Sequence, residues 1–295
     1  HVATLLESPV ILILDASKTS RSIAATALGF TKFHKNSRIS GIILNKIGSK
    51  KHEDLCRAAL LNLKIPIIGV IPKNPSANLE SRHLGLIPVY EQKDLHNKIR
   101  QISKEISDYL DFDLIEKICK TTSSLKKIKP VKTKKSKISI AIALDNSFNF
   151  YYHDNIEALR REGAKIKFFS PISDKKIPNC DLIYLGGGFP EILASSLEKN
   201  SSMKKSIKNN AEDGTPIYAE CGGLMYLTNS ITYGHKKSKM VGLFDVDTVM
   251  TKKMTLNYTE GKINSNCLIS KPRNFRAHEF HYSKIINVPK DSKFL

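Results

Sequence analysis

No segment of the 295-residue sequence reads G-x-x-x-x-G-K-[ST], so none of its turns is a phosphate loop of that kind. Cysteine is scarce and scattered: Cys56, Cys119, Cys180, Cys221 and Cys267 form no C-x-x-C pair. That spacing argues against structural zinc, and an odd number argues against a secreted disulfide framework. No apolar run is long enough to span a bilayer and no signal peptide is visible, which makes a reducing cytoplasm the expected location, with no membrane partner. Acidic side chains are in deficit, 28 against 47 Lys and Arg, for a formal charge of +19. Such a balance favours acidic partners. The densest basic run, Lys126 to Lys137, lacks the interleaved aromatics of a single-strand-binding platform, so nucleic acid is not the expected partner. No internal repeat is evident.

What is present suits two domains of ordinary size, with 41% hydrophobic residues. The chain opens on His1 rather than methionine and is expected to be an internal fragment of a longer protein. Val10 to Leu14 is a β-branched apolar run ending at Asp15, which fits a buried parallel strand with its carboxylate at the ligand-binding edge. Asp15 there could hold Mg²⁺ or cap the helical pattern over Ser20 to Phe33. Ile39 to Leu44 reads as the next strand and delivers Asn45 and Lys46; an asparagine at a strand end caps, or reads an adenine edge. A helix over Glu53 to Leu63 and a strand over Ile65 to Ile71 follow, then a loop carrying Glu80, Arg82 and His83. Helices are expected over Leu95 to Tyr109 and Phe112 to Ile118.

The stretch from Thr121 to Lys137 is rich in Ser, Thr, Pro and Lys and reads as a linker. It divides a first domain, 1–120, from a second, 138–295. The second begins with a strand from Ile138 to Leu144, a helix over Asn155 to Glu162 and a strand over Lys165 to Phe169. Among the aromatics Phe148, Tyr151 and Tyr152, core packing competes with stacking on a ligand. Ser195 to Asn210 reads as one helix, and the segments after Gly242 read mostly as strand.

Pro216 to Asn229, P-I-Y-A-E-C-G-G-L-M-Y-L-T-N, organises this half. A short apolar run, a glycine-rich turn and a helical pattern place Cys221 at a sharp elbow above a sheet. The amides of Gly222 and Gly223 would lie beside the thiol, with a helix N-terminus favouring thiolate. The alternative is a small buried hydrophobe. Asp181 to Pro190, D-L-I-Y-L-G-G-G-F-P, runs a strand into three glycines and a helix expected near Glu191. Such glycines turn amides toward developing negative charge, or make a plain turn. His278-Glu279-Phe280-His281 puts two imidazoles on opposite faces of an expected strand, and one of them could activate the thiol.

Y-A-E-C-G-G-L-M-Y-L, L-G-G-G-F-P-E and H-E-F-H-Y-S closely resemble the glutamine amidotransferase half of the cobyrinic acid a,c-diamide synthase family. V-I-L-I-L-D-A-S, G-I-I-L-N-K-I-G-S and S-R-H-L-G-L are similar to its synthetase half. The resemblance implies an α/β fold: a P-loop NTPase-like (dethiobiotin synthetase-like) parallel-sheet domain lacking its first strand and P-loop, then a class I glutamine amidotransferase-like α/β domain. It implies ATP and Mg²⁺, glutamine, and cobyrinic acid or a related tetrapyrrole as substrate, with a homodimer as the assembly considered. Missing its phosphate loop, this stretch by itself is expected to bind ATP poorly.

By the same resemblance Cys221 matches the glutaminase nucleophile and His281 the catalytic histidine. Gly187, Gly188 and Gly222 match the oxyanion and glutamine-binding turn. Asn45 and Lys46 match the nucleotide contacts, Asp15 a magnesium site, and Glu80, Arg82 and His83 contacts to phosphate or substrate carboxylate. Ordinary class I glutaminases carry a glutamate two residues after the histidine, where Ser283 stands here, a departure that the cobyrinic and cobyric acid branch shares; the ring is then oriented by a group the sequence does not identify, or by water and backbone. Within enzymes the runner-up is nickel sirohydrochlorin a,c-diamide synthase. From another class, a ParA-like DNA-associated ATPase would share the first fold and the basic surface, and salt-dependent DNA binding would mark it.

Overall fold

The computed structural model describes residues 2–33, 36–73, 94–122, 124, 134–135, 137–264, 266–267 and 270–289. The chain divides into two compact units, His1–Lys129 and Pro130–Leu295. Most of the expected linker lies outside the described residues.

In the first unit a short helix α1 (Val2–Leu5) precedes β1 (Val10–Asp15), α2 (Ile23–Phe33), β2 (Ile39–Ile47), α3 (Lys50–Leu60), β3 (Ile67–Pro72), α4 (Leu95–Ser107) and α5 (Phe112–Cys119). The strands form a parallel sheet in the order β1-β2-β3. Central β2 is buried on both faces because Ile42 and Leu44 point to one side and Ile43 to the other. The first side packs on Ile23 and Ala27 of α2 and Cys56 and Leu60 of α3. The second packs on Leu114, Ile115 and Ile118 of α5. A parallel sheet covered on both faces reads as continuous apolar runs, which is why these strands were visible in the sequence. The helix expected from Glu53 starts earlier, at Lys50, where the Ser49 side chain accepts from the His52 amide.

The second unit contains β4 (Ser139–Ala143), β5 (Phe148–Phe150), α6 (His153–Arg161), β6 (Lys165–Phe169), β7 (Leu182–Leu185), β8 (Gly187–Gly188), α7 (Ala194–Lys199), α8 (Ser201–Glu212), β9 (Ile217–Ala219), α9 (Gly222–Leu227), β10 (Thr228–Tyr233), β11 (Lys236–Lys239), β12 (Phe244–Ile263) and β13 (Arg273–Ile286). Its main sheet is parallel, ordered β6-β4-β7-β9. On one face Ile183 and Leu185 meet Leu197, Met203, Ile207 and Tyr226 from the helices. On the other, Tyr184 and Tyr218 pack with Tyr151, Ile156 and Leu159. A second sheet, β11-β10-β12-β13, brings Ile231 into the first of these cores.

Two expectations need correction. The single helix over Ser195 to Asn210 is two helices, because Asn200 turns out of helical geometry (ψ 69°) and caps α8 by accepting from the Met203 amide. Its side-chain amide also donates to the carbonyls of Pro171, Ile172 and Asp174, a local alternative to continuing the helix. The helix expected near Glu191 begins at Ala194. Phe148 is fully buried and Tyr151 donates its hydroxyl to the Ala143 carbonyl, so both are core residues, while Tyr152 is 78% exposed.

Candidate active site

The elbow is built by close backbone packing. Beyond β9 the Glu220 amide donates to the Leu185 carbonyl (2.9 Å), and the Gly223 amide donates back to the Glu220 carbonyl (2.8 Å). Between them Cys221 takes φ 47° and ψ −108°, a backbone state that costs an ordinary residue about 1–3 kcal/mol and survives only where the surroundings enforce it. They do: a Cβ on Gly223 would lie 2.2 Å from the Leu185 carbonyl oxygen, and one on Gly222 2.9 Å from Pro190 Cδ. Only glycine lets α9 start so close to the strand.

The glycine turn stands beside this elbow. Its Gly186 amide donates to the Tyr151 hydroxyl at 2.9 Å, and a Cβ on Gly188 would overlap the Ser147 carbonyl oxygen at 2.0 Å. A Cβ on Gly187 would lie 3.6 Å from Cys221 Cβ, and one on Gly222 3.2 Å from the Gly188 amide nitrogen. The three glycines expected to serve one site are therefore neighbours around one thiol.

Cys221 reaches solvent, yet protein crowds it on its other sides. Burial pushes its thiol above the ordinary 9.0; the Gly222 amide opposes this by hydrogen bonding, and Glu191 and Glu220 add to it by charge. Glu191 is itself buried, 7% exposed. The expectation of a thiolate favoured by a helix N-terminus is thus corrected: α9 has six residues, too short for a full dipole, and two carboxylates face the sulfur.

Cys221 and His281 line one cavity of about 780 Å³, together with Glu220, Thr248, Glu279 and Lys284. His281 arrives on β13, which pairs antiparallel with β12. Beside it the register breaks: Met250 pairs with Ser283 and Thr255 with His281, so the segment between Met250 and Thr255 opposes Tyr282 alone. Such a bulge re-aims neighbouring side chains. The imidazole Nε2 lies 2.7 Å from Glu279 Oε1, and Nδ1 lies 2.8 Å from the Ser283 carbonyl oxygen. His278 also borders this cavity, stacked on Phe280 at 6.2 Å and tilted against Tyr258 at 5.5 Å.

A cysteine elbow, a glycine turn and a strand-borne histidine around one cavity match what comparison with known proteins finds. Residues 139–295 match the model of the CobB/CobQ-like glutamine amidotransferase domain. A cobyrinate a,c-diamide synthase of Methanosarcina barkeri is 38% identical over 100% of this chain and 65% of its own length. That of Methanococcus vannielii is 43% identical over 97% of this chain and 65% of its own, and that of Sulfurisphaera tokodaii 39% identical over 100% and 67%. The chain belongs to the cobyrinate a,c-diamide synthase family. It spans about 65% of the length of the first two relatives.

For a member of the cobyrinate a,c-diamide synthase family, the first unit places its expected residues less simply. Asp15 and Lys46 meet at the C-terminal edge of the parallel sheet, with Lys46 Nζ 2.6 Å from Asp15 Oδ2. The other oxygen, Oδ1, accepts from the Ser17 amide (2.9 Å) and hydroxyl (2.6 Å). The Lys46 ammonium, then the Ser17 donors, hold the Asp15 carboxyl far below the usual carboxylate range. A magnesium ion on Asp15 would therefore have to displace the Lys46 ammonium, since both carboxylate oxygens are engaged by protein groups. Among the described residues no group of three or more His, Cys, Asp or Glu side chains converges. The Asn45 side chain accepts from the Lys46 amide at 2.9 Å. Glu80, Arg82 and His83 lie outside the described residues. No helix among the described residues is long and apolar enough to cross a membrane.

The residue missed in the sequence is Glu279. Its signal in the sequence is the strand period, since residues two apart on a strand share a face and Glu279 stands two before His281.

Proposed function

We propose that the protein amidates the a and c side-chain carboxylates of cobyrinic acid, using ATP to activate them and glutamine as the ammonia source. The observation that supports this best is the shared cavity of Cys221 and His281 at a glycine-built elbow, in a chain whose relatives bear that activity in their names. Cys221 attacks the glutamine carboxamide while His281 takes the thiol proton and returns it to the departing ammonia. Amides of the Gly187-Gly188 turn and Gly222 face the developing oxyanion. Water then cleaves the thioester and frees glutamate. In the synthetase half, Asn45 and Lys46 serve the nucleotide, and Glu80, Arg82 and His83 the phosphate or substrate carboxylates. ATP turns each carboxylate into an acyl phosphate, because a carboxylate oxygen leaves too poorly for ammonia to displace it. Asp15 acts through Lys46 rather than as a magnesium ligand.

The test is amidation of cobyrinic acid by the full-length protein, followed by mass spectrometry, with Cys221→Ala alongside. Wild type is expected to work with glutamine, and the variant with ammonium only. Amidation of nickel sirohydrochlorin in place of cobyrinic acid would change the substrate. No change in either macrocycle, with salt-sensitive DNA binding, would overturn the assignment.

A further inference from the structure

We infer that Glu279 is the positioning residue of His281, supplying from two residues before the histidine the carboxylate that related glutaminases carry two residues after it. This rests on the glutaminase reading of the Cys221 cavity. Glu279, His281 and Ser283 alternate on one face of β13, so successive side chains stand roughly 7 Å apart along the strand. That spacing lets a glutamate reach back to the ring, and its Oε1 is 2.7 Å from Nε2. At the following position Ser283 offers no carboxylate; its backbone carbonyl takes the other nitrogen at 2.8 Å. The Glu279 contact therefore anchors the ring through Nε2, and the Ser283 carbonyl holds Nδ1 until the thiol takes its place.

The pair is not a stabilising device. The side chains of His281 and Glu279 are 29% and 38% exposed, and ion pairs open to solvent add little to stability. The consequence of the contact lies in orientation instead. In the reacting enzyme the ring enters neutral, its one proton on Nε2 and donated to Glu279, and Nδ1 turns from the Ser283 carbonyl to accept from the Cys221 sulfur. The thiol proton moves from sulfur to Nδ1, the sulfur forms its bond to the carboxamide carbon, and the same proton goes to the leaving ammonia. Glu279 exchanges no proton; its charge faces the imidazolium that forms.

Steady-state glutamine hydrolysis by the full-length protein tests this with Glu279→Ala, Glu279→Gln and Glu279→Asp, each also assayed with ammonium in place of glutamine. The expected result for Ala and Gln is a fall of roughly 10²-fold in kcat, with KM for glutamine within about twofold, the size of effect expected when a base loses its alignment. Asp is expected to recover part of the rate, and ammonium-dependent amidation to stay at the wild-type level. Wild-type kcat in Glu279→Ala would overturn the assignment while leaving the glutaminase reading intact. An equal loss of ammonium-dependent activity that Asp does not restore would also overturn it, since that marks a structural role. A wild type that hydrolyses no glutamine would overturn both.

Discussion

Cys221 is held in a reactive position but not in a reactive state. Its backbone strain and glycine neighbours expose the sulfur to the cavity, while burial, Glu191 and Glu220 keep it protonated. Alkylation of Cys221 by iodoacetamide, followed on its peptide by mass spectrometry, is therefore expected to be slow at neutral pH. It should keep rising as pH passes the ordinary thiol value of 9.0, because the thiolate is the nucleophile and a raised pKa delays it. A plateau below pH 8 would contradict the account. A sulfur kept protonated needs a base, the role proposed for His281. At this scale the sequence made the elbow cysteine legible through C-G-G after a short apolar run. It could not show the state of the thiol, which is set by Glu191, distant in sequence, and by burial. Nor could it show that Asp15 is already paired, since Lys46 is brought to it by strand register, Asp15 lying opposite Asn45.

Elements carry these residues through close contacts that tolerate no added atoms. The contact of Gly223 with the Leu185 carbonyl joins α9 to β7. Gly223→Ala is expected to destabilise the second unit by about 1–3 kcal/mol, as overpacking of a tight contact does, and to lose glutamine hydrolysis. Urea unfolding with the hydrolysis assay measures both; an unchanged midpoint with full activity would show that the elbow can relax. The strands and most helices were legible because apolar periodicity reports burial directly. The exceptions have local causes. Asn200 divides a helical pattern because its side chain binds three carbonyls of another segment, and β10 and β11 went unremarked because Thr, Ser and Lys dominate them. The register break beside His281 leaves no mark in the sequence, since bulges depend on pairing with a partner strand.

The whole molecule is two units with separate cores, one around β2 and one around β4 and β7. Calorimetric unfolding is accordingly expected to give two transitions, and Gly223→Ala to lower only the one belonging to residues 130–295. One sharp transition, shifted as a unit, would show that the halves unfold together. The two-domain reading of the sequence came from a shift in composition, whereas the segment with Glu80, Arg82 and His83 lies outside the described residues. The second unit also contains a beam. Beyond the register break, β12 pairs only with β13 among the described residues, so the ribbon out to Ile263 and Arg273 is supported from one end. A beam clamped at one end deflects most at its tip and least at its root. His281 sits at the root, next to the clamp formed where β12 joins β10. Bending of the ribbon is therefore expected to displace Phe275 at its far end more than the imidazole near its root.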